Sequence, residues 1–194
     1  MGKSTKEKIF DTAVVLFSDV GYKEVSMRDI AAKVGIKAAS IYNHYKSKEN
    51  LLHSLVDFYM EHWQEYVPNT EEILLLIETI HPLEALKLLS FQFDPKMQNR
   101  MDRILFIAMR EMINDSKCEE LIAKCHVKRT DLKRVLDKMV ELGKIEQIDT
   151  AAINMIAVNY ALGAAIINGT NLKLDWEEWF KGFSMVFSLV KPLE

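Results

Sequence analysis

The stretch from Ser26 to Leu51 constrains the fold most, because it contains three short helical patterns with little freedom between them. Ser26 and Asp29 form a capping-box pattern, in which a hydroxyl and a carboxylate satisfy the free N–H groups of a new helix. Gly35, the residue type that most easily takes a positive φ, ends that helix after about two turns. The pattern therefore predicts a helix that begins at Met27, then a sharp turn and a second helix.

The spacing of Ala31, Gly35 and Ile41 indicates a helix-turn-helix. The small Ala31 lets two helices cross closely, Gly35 makes the turn and Ile41 anchors the second helix. Ile36 and Tyr45 are expected to point inward with Ile41. The outer face is then small, polar and basic, and consists of Lys37, Ala39, Ser40, Asn43 and Lys46. The alternative at this point is an ordinary helical hairpin in a core.

The run from Ile41 to Leu51, IYNHYKSKENL, resembles the end of the DNA-binding domain of TetR-family transcriptional regulators, whose pattern is approximately Leu-Tyr-x-His-Phe-x-Ser-Lys-Glu-x-Leu. DIA at 29–31 and VGI at 34–36 extend the resemblance over about the first fifty residues. It implies an all-α protein with two parts. Residues 1–47 would be a three-helix DNA-binding head with the helix-turn-helix, and residues 48–194 a helical body that binds an effector and dimerises.

Composition and charge agree with such a division. The chain has 194 residues, 49% apolar and 27% charged, which is a soluble globular composition and excludes disordered and collagen-like classes. Residues 1–48 hold nine Lys or Arg against five Asp or Glu, whereas the whole chain has a net charge of −3. A basic head on an acidic body fits a polyanion such as DNA at one end only.

The chain shows no pattern of a secreted or membrane-spanning protein. Residues 1–8 are polar and charged rather than a signal peptide, so we expect a cytoplasmic protein. Cys118 and Cys125 would lie two turns apart on one helix, about 10 Å and too far for a disulfide, and are expected to be buried thiols. The apolar run 151–167 is shorter than the roughly 20 residues that span a bilayer. We interpret it as a buried helix and expect no membrane partner.

Helix signals continue along the rest of the chain. Ser4 and Glu7 cap a first helix that stops at Gly21, and Ser47 caps a helix that continues from Lys48 to about Val67, roughly 28 Å long. No flexible linker therefore separates head from body. Further helices are expected between breaks at Pro82, Pro95, Asn114 to Ser116, Gly143 to Gln147 and Gly169 to Leu174.

In the last two predicted helices, apolar residues cover more of the helix surface than the single stripe that is typical of a surface helix. Residues 149–168 are apolar on nearly every face and rich in small residues, namely alanines and Gly163, and residues 175–190 carry two Trp and three Phe. The resemblance implies that these helices form a four-helix interface with their copies in a twofold partner. A purely internal core is the alternative.

The resemblance implies ten DNA-contacting residues: Ser26, Arg28, Lys37, Ala38, Ala39, Ser40, Tyr42, Asn43, His44 and Lys48. Arg28, Lys37 and Asn43 have long side chains whose hydrogen-bond donors could reach base edges. Phosphates would be held by helix-start N–H groups and by Ser26, Tyr42, His44 and Lys48. Ala38 and Ala39 offer only methyl contacts. Many family members have Ser or Thr where Lys37 stands, which leaves the operator open. The alternative for Tyr42 and His44 is packing inside the head.

For an effector, the resemblance implies a pocket in the body beside the long connecting helix. Trp63, Tyr66, Phe91, Phe106 and Met109 could line it, and Arg110 or Asn159 could orient a polar group. Core packing is the alternative for each of these residues.

Catalytic patterns are weak. Glu78 and His81 form a single Glu-x-x-His, whereas a helical di-metal site needs two such pairs and two further glutamates. Cys125 and His126 are adjacent on a helix and diverge. We expect no enzyme, cofactor or metal, but a homodimeric repressor that binds a palindromic operator and is released by a small molecule. The alternatives are a family member without an effector and, more distant, a helical enzyme or lipid carrier.

Overall fold

The computed structural model describes residues 2–66, 69–88 and 95–170 together with Lys181 and Met185, apart from some side chains within the helices. Every element in these ranges is an α-helix, which confirms the all-α prediction. The helices are α1 Thr5–Asp19, α2 Met27–Val34, α3 Ala38–Ile41, α4 Lys48–Tyr66, α5 Thr70–Leu76, α6 Pro82–Leu88, α7 Pro95–Glu111, α8 Ser116–Glu141 and α9 Thr150–Gly169.

The predicted helix boundaries are confirmed where a local signal sets them. The backbone N–H of Ser4 donates to the Glu7 carboxylate at 2.7 Å, and the N–H of Glu7 donates to the Ser4 hydroxyl at 3.2 Å. The same reciprocal pair joins Ser26 and Asp29 at the start of α2. Gly35 ends α2 with φ +80°, a left-handed conformation that disfavours any residue with a Cβ. α6 begins at Pro82 as predicted, and α7 begins at Pro95, where a break between helices was predicted.

Two compact units are distinguished by their internal contacts. Unit 1 comprises Met1–Trp63, Asp94–Leu121 and Ala165–Lys173, and unit 2 comprises Gln64–Phe93, Ile122–Ala164 and Leu174–Glu194. Unit 1 thus joins α1, α2, α3 and most of α4 to α7 and to the last residues of α9. The boundary between residues 47 and 48 that the sequence suggests for head and body stays a prediction.

The core of the first three helices follows the apolar stripes of the sequence. Ile9, Ala13 and Phe17 of α1 are fully buried together with Ile30 of α2 and Ile41 of α3. Tyr45 is buried as predicted, whereas Ile36 is only partly buried. The side chain that anchors α3 is therefore Ile41.

Unit 2 has its own core, which α5, α6, α8 and α9 share. It consists of Ile73, Ile77, Ala85, Leu86, Val135, Leu136, Met139, Ile145, Ile153 and Ala157. Gly143, with φ +63°, follows the end of α8 and lets Lys144 donate from Nζ to the carbonyls of Glu78 and Ile80 at 2.7 and 3.1 Å. Cys118, at the other end of α8 and in unit 1, is a buried thiol as predicted, whereas the Cys125 side chain lies outside the described residues.

The predicted helix 149–168 is confirmed as α9, but the interpretation of its apolar run 151–167 as a buried helix is wrong within the protomer. α9 has 20 residues and is long and apolar enough to cross a membrane, a test that a core helix of a soluble protein also passes. Only 33% of its most apolar window is buried inside the protomer, where Ile153 and Ala157 pack in the unit 2 core. Met155 and Ile156 are 51% and 47% exposed. The predicted helix 175–190 lies outside the described residues except at 181 and 185.

Candidate DNA-binding surface and effector region

The outer face of α3 and the turn after it is open to solvent. Lys37, Ala38, Ala39 and Asn43 are exposed, and Tyr42 is 51% exposed although its neighbour Ile41 is fully buried. Ser40 and His44 are partly buried. Tyr42 therefore does not pack inside the head, and its ring and hydroxyl are free to meet a phosphate backbone. The structure brings together the central part of the predicted DNA-contacting set on one surface.

At the start of α2, Arg28 is exposed, but Ser26 is already engaged. The Ser26 hydroxyl donates to the Asp29 carboxylate at 2.5 Å, and the Ser26 backbone N–H donates to the same oxygen at 2.8 Å. These hydrogen bonds hold the pKa of Asp29 below its usual range, so the carboxylate is charged at neutral pH. A phosphate contact by Ser26 would have to exchange its hydroxyl bond, and this role stays a prediction.

Lys48 has a structural contact that sequence reasoning missed. Its ammonium donates to the carbonyls of Tyr22 and Val25 at 2.8 and 3.0 Å and lies 4.2 Å from the centroid of the Tyr22 ring. These bonds tie the start of α4 to the connection between α1 and α2. An ammonium has three donors, so one remains for a phosphate. No local pattern reveals this contact, because the partners are 23 and 26 residues away.

The cations around the first three helices differ in whether their side chains have a protein partner. Lys3 pairs with Asp11 at 2.5 Å, and Lys6 lies 5.8 Å from the centroid of the Tyr45 ring. Among the residues that the structure describes, the side chains of Arg28, Lys37 and Lys46 form no hydrogen bond or ion pair. Their charges are therefore available to a polyanion without a competing protein partner. Lys46 belongs to this group although it was not in the predicted contact set.

The predicted effector residues are dispersed. Trp63 is partly buried and stacks on Tyr59 with 5.4 Å between ring centroids. Phe106 and Met109 are partly buried on α7, and the Arg110 guanidinium lies 4.9 Å from the Phe106 ring centroid. Asn159 is exposed on α9. Phe91 and the side chain of Tyr66 lie outside the described residues. The structure thus brings Phe106 and Arg110 together, and Arg110 is occupied by α1, since its Nη2 donates to the Phe17 carbonyl.

Buried polar groups in the body were also missed. Asp102 of α7 is 4% exposed, and burial raises its pKa to about 6 against the opposing effect of hydrogen bonds from Asn168 and Gln98 at 2.9 and 2.8 Å. In unit 2, Thr70 Oγ1 and Asn154 Oδ1 are buried without a hydrogen-bond partner. Unpaired buried oxygens of this kind are candidates for polar contacts to a ligand. Within the described ranges, no three His, Cys, Asp or Glu side chains are grouped to hold a metal ion.

Gly169 shows how closely α9 approaches α7. A Cβ at this position would lie 2.3 Å from Phe106 Cβ and 2.9 Å from the Asp102 carbonyl oxygen. The neighbouring Asn168 is the residue that donates to Asp102. The end of α9 is therefore seated against one side of α7 by a glycine contact and a buried hydrogen bond.

Comparisons with known proteins agree with the geometry of the head. The family described as bacterial regulatory proteins, tetR family, matches residues 9–55. The biofilm operon negative transcriptional regulator IcaR of Staphylococcus epidermidis is 44% identical over 52 residues, which are 27% of this chain and 28% of that protein. IcaR of Staphylococcus aureus strain Newman is 27% identical over 135 residues, 70% of this chain and 67% of the relative. The first of these matches thus spans little more than a quarter of the relative's length.

Solved structures match over the full length. The TetR-family regulator PfmR of Thermus thermophilus has a TM-score of 0.61 at 21% identity and covers 100% of this chain and 99% of its own. AibR, solved with isovaleryl coenzyme A and operator DNA, has a TM-score of 0.58 at 20% identity, with 98% and 100% covered. At such identities these likenesses show the fold alone. The family match at residues 9–55, the IcaR relatives and this shared fold together support a TetR-family transcriptional regulator.

Proposed function

We propose that the chain is a cytoplasmic repressor that binds a palindromic operator as a homodimer and is released by a small molecule held in its body, residues 48–194. The observation that carries the DNA part is the outer face of α3, where Lys37, Tyr42 and Asn43 are exposed and buried Ile41 fixes the helix from behind. The repressor part is supported by the relative IcaR, which is named a negative transcriptional regulator.

In this proposal the exposed residues differ in the part of the DNA that their side chains can reach. Arg28, Lys37 and Asn43 carry donors long enough for base edges in the major groove. Tyr42, His44 and the third donor of Lys48 hold phosphates, which fixes the position of the head without reading sequence. The methyl groups of Ala38 and Ala39 suit contact with thymine. Ser26 contributes if its hydroxyl exchanges Asp29 for a phosphate, and Ser40 lies beside these groups, partly buried.

The homodimer part is supported by α9. α9 exposes Met155, Ile156 and Ile167, which a second copy of the same helix and of residues 175–190 would cover. Isologous pairing of this kind gives the twofold axis that a palindromic operator requires.

Effector release is supported by the AibR structure, whose two ligands are an acyl coenzyme A and operator DNA. An effector shifts the population only by its differential affinity for the two states, and a hundredfold change in operator affinity needs about 2.7 kcal/mol. The two unpaired oxygens of Thr70 and Asn154 lie in unit 2, within the same body, and would accept or exchange hydrogen bonds with such a ligand.

Selection of bound fragments from random duplex DNA tests the proposal. We expect a palindrome to be enriched, and Tyr42→Ala and Lys37→Ala each to weaken its binding by about fivefold or more, as for the loss of one good contact of about 1–3 kcal/mol. Lys138→Ala removes a cation from α8 and is the matched control, which should keep full affinity. Enrichment of no duplex, or unchanged affinity of both head variants, would rule out this function.

A further inference from the structure

We propose that α7 positions the DNA-reading head, because Arg100, Arg103 and Arg110 hold α1 at both of its halves and so set the direction in which α3 faces. We call these three residues the α7 arginine grip. The inference rests on the proposed function as an operator-binding dimer and names the residues that fix its reading geometry.

The carboxyl end of α1 lacks the cation that its helix dipole favours. The last turn contains no basic residue, and Asp19 adds a negative charge where the unpaired carbonyls already make the end negative. α7 supplies the missing cations. Arg103 donates from Nη1 to the Ser18 hydroxyl at 2.5 Å and also pairs with Asp19, while Arg110 donates to the Phe17 carbonyl.

The amino-terminal half of α1 is held by Arg100. Its guanidinium pairs with Asp11 and lies 5.8 and 5.2 Å from the ring centroids of Phe10 and Phe58. Those two rings are themselves in contact, with 5.0 Å between their centroids. Because Phe58 belongs to α4, this one side chain joins α1, α4 and α7. The contact combines an ion pair with two cation–π interactions and is therefore directional.

The spacing of the α7 arginine grip along α7 allows it to fix the direction of α1. Offsets of three and ten residues place the three side chains on one side of a helix, about 15 Å apart at the extremes. A single contact would let α1 pivot, whereas contacts at Asp11 and at residues 17–19 fix its direction. α1 packs against α2, and α2 packs against α3, so a change in the angle of α1 is passed through α2 to α3.

The distance between two heads in a dimer decides which half-site spacing an operator must have. If the α7 arginine grip sets the direction of each head, its loss should broaden the spacing preference. A purely structural role would instead weaken binding to all duplexes alike. Spacing preference is therefore the readout that separates positioning from stability.

The experiment measures the affinity of the full-length protein for palindromes whose half-sites are moved apart or together by one or two base pairs, and for a single half-site. For Arg103→Ala with Arg110→Ala we expect the preference for the best spacing to fall by about fivefold or more, the lower range of a coupling between sites, with half-site affinity unchanged. Arg134→Ala removes an exposed arginine paired with Glu71 and is the control, which should keep the preference.

Exchanging the charges of Arg103 and Asp19 distinguishes loss of the ion pair from misfolding of a variant. Arg103→Glu should lose the preference, and Arg103→Glu with Asp19→Arg should regain it, since the pair is restored with its signs reversed. A folded double alanine variant with the wild-type preference would overturn the inference, as would equal loss for every duplex, half-sites included. A wild-type protein that binds no duplex at all would instead overturn the proposed function.

Discussion

Asp102 is a carboxyl group in the least favourable surroundings that the described part of the chain offers. It is buried on α7, and its partners are the neutral amides of Gln98 and Asn168, so no cation compensates the lost hydration. Its pKa of about 6 in the folded protein compares with an ordinary value of 3.8 for an aspartate. The folded protein therefore binds more protons than the unfolded chain between these two values.

The sign of the resulting pH dependence follows from this difference. A raised carboxyl pKa contributes stability at low pH, and this contribution is lost as the pH rises through about 6. Between pH 4.5 and 7 the free energy of unfolding should fall by about 2 kcal/mol through this group. Asp102→Asn should remove that fall, measured as urea midpoints at the two pH values.

Asp137→Asn is the control for the Asp102 experiment. Hydrogen bonds from Lys133 and Thr150 lower the Asp137 pKa, so the group stays ionised across the window in the folded protein. It should leave the pH dependence nearly unchanged. Equal slopes for wild type and Asp102→Asn would show that Asp102 is not the titrating group.

At the scale of the helices, Lys48 connects α4 to the turn between α1 and α2. Lys48→Ala should lower the free energy of unfolding by about 1–3 kcal/mol, because the carbonyls of Tyr22 and Val25 lose a charged donor. It should also weaken DNA binding. Lys37→Ala is the matched variant, since it removes an exposed lysine from the same head and should weaken DNA binding alone.

Thermal unfolding and operator affinity, measured on both variants, separate the two roles. If Lys48→Ala keeps the wild-type thermal stability but loses operator affinity, the role of Lys48 is only the predicted phosphate contact. If Lys48→Ala is less stable and its operator affinity returns at low temperature, the role of Lys48 is only its structural contact with Tyr22 and Val25.

What the sequence predicted at this scale depends on distance along the chain. The capping pairs at Ser4 and Ser26, the turn at Gly35, the start of α6 and the break at Pro95 were all predicted, because each signal and its effect lie within a few residues. The bonds from Lys48 to Tyr22 and from Arg110 to Phe17 were not. Their partners are 26 and 93 residues apart, and no periodicity specifies which distant carbonyl a long cation will find.

At the scale of the whole molecule, the described part of α9 presents an apolar face to solvent. The face with Met155 and Ile156 is apolar and exposed in the protomer, so pairing with a second copy should add stability that depends on concentration. We expect the wild-type protein to sediment as a dimer whose melting temperature rises with concentration. Ile156→Asp should give a monomer in which that dependence is lost.

Leu75→Asp supplies the matched control for α9. Leu75 is a 79% exposed residue of α5, and the same substitution there should leave the dimer intact. Sedimentation velocity distinguishes the outcomes. A monomeric wild type, or an Ile156→Asp protein that still dimerises, would refute α9 as the interface.

The α7 arginine grip has a consequence for anyone who builds hybrid sensors by grafting a foreign recognition head onto this body. Three of the acceptors it uses, Asp11, Ser18 and Asp19, belong to α1 and would be exchanged with the graft. A foreign head with apolar or basic residues at these three positions would leave the guanidinium groups of Arg100 and Arg103 in the α7 arginine grip without these side-chain partners. Successful hybrids should therefore retain those three acceptors, whatever sequence the imported α3 reads.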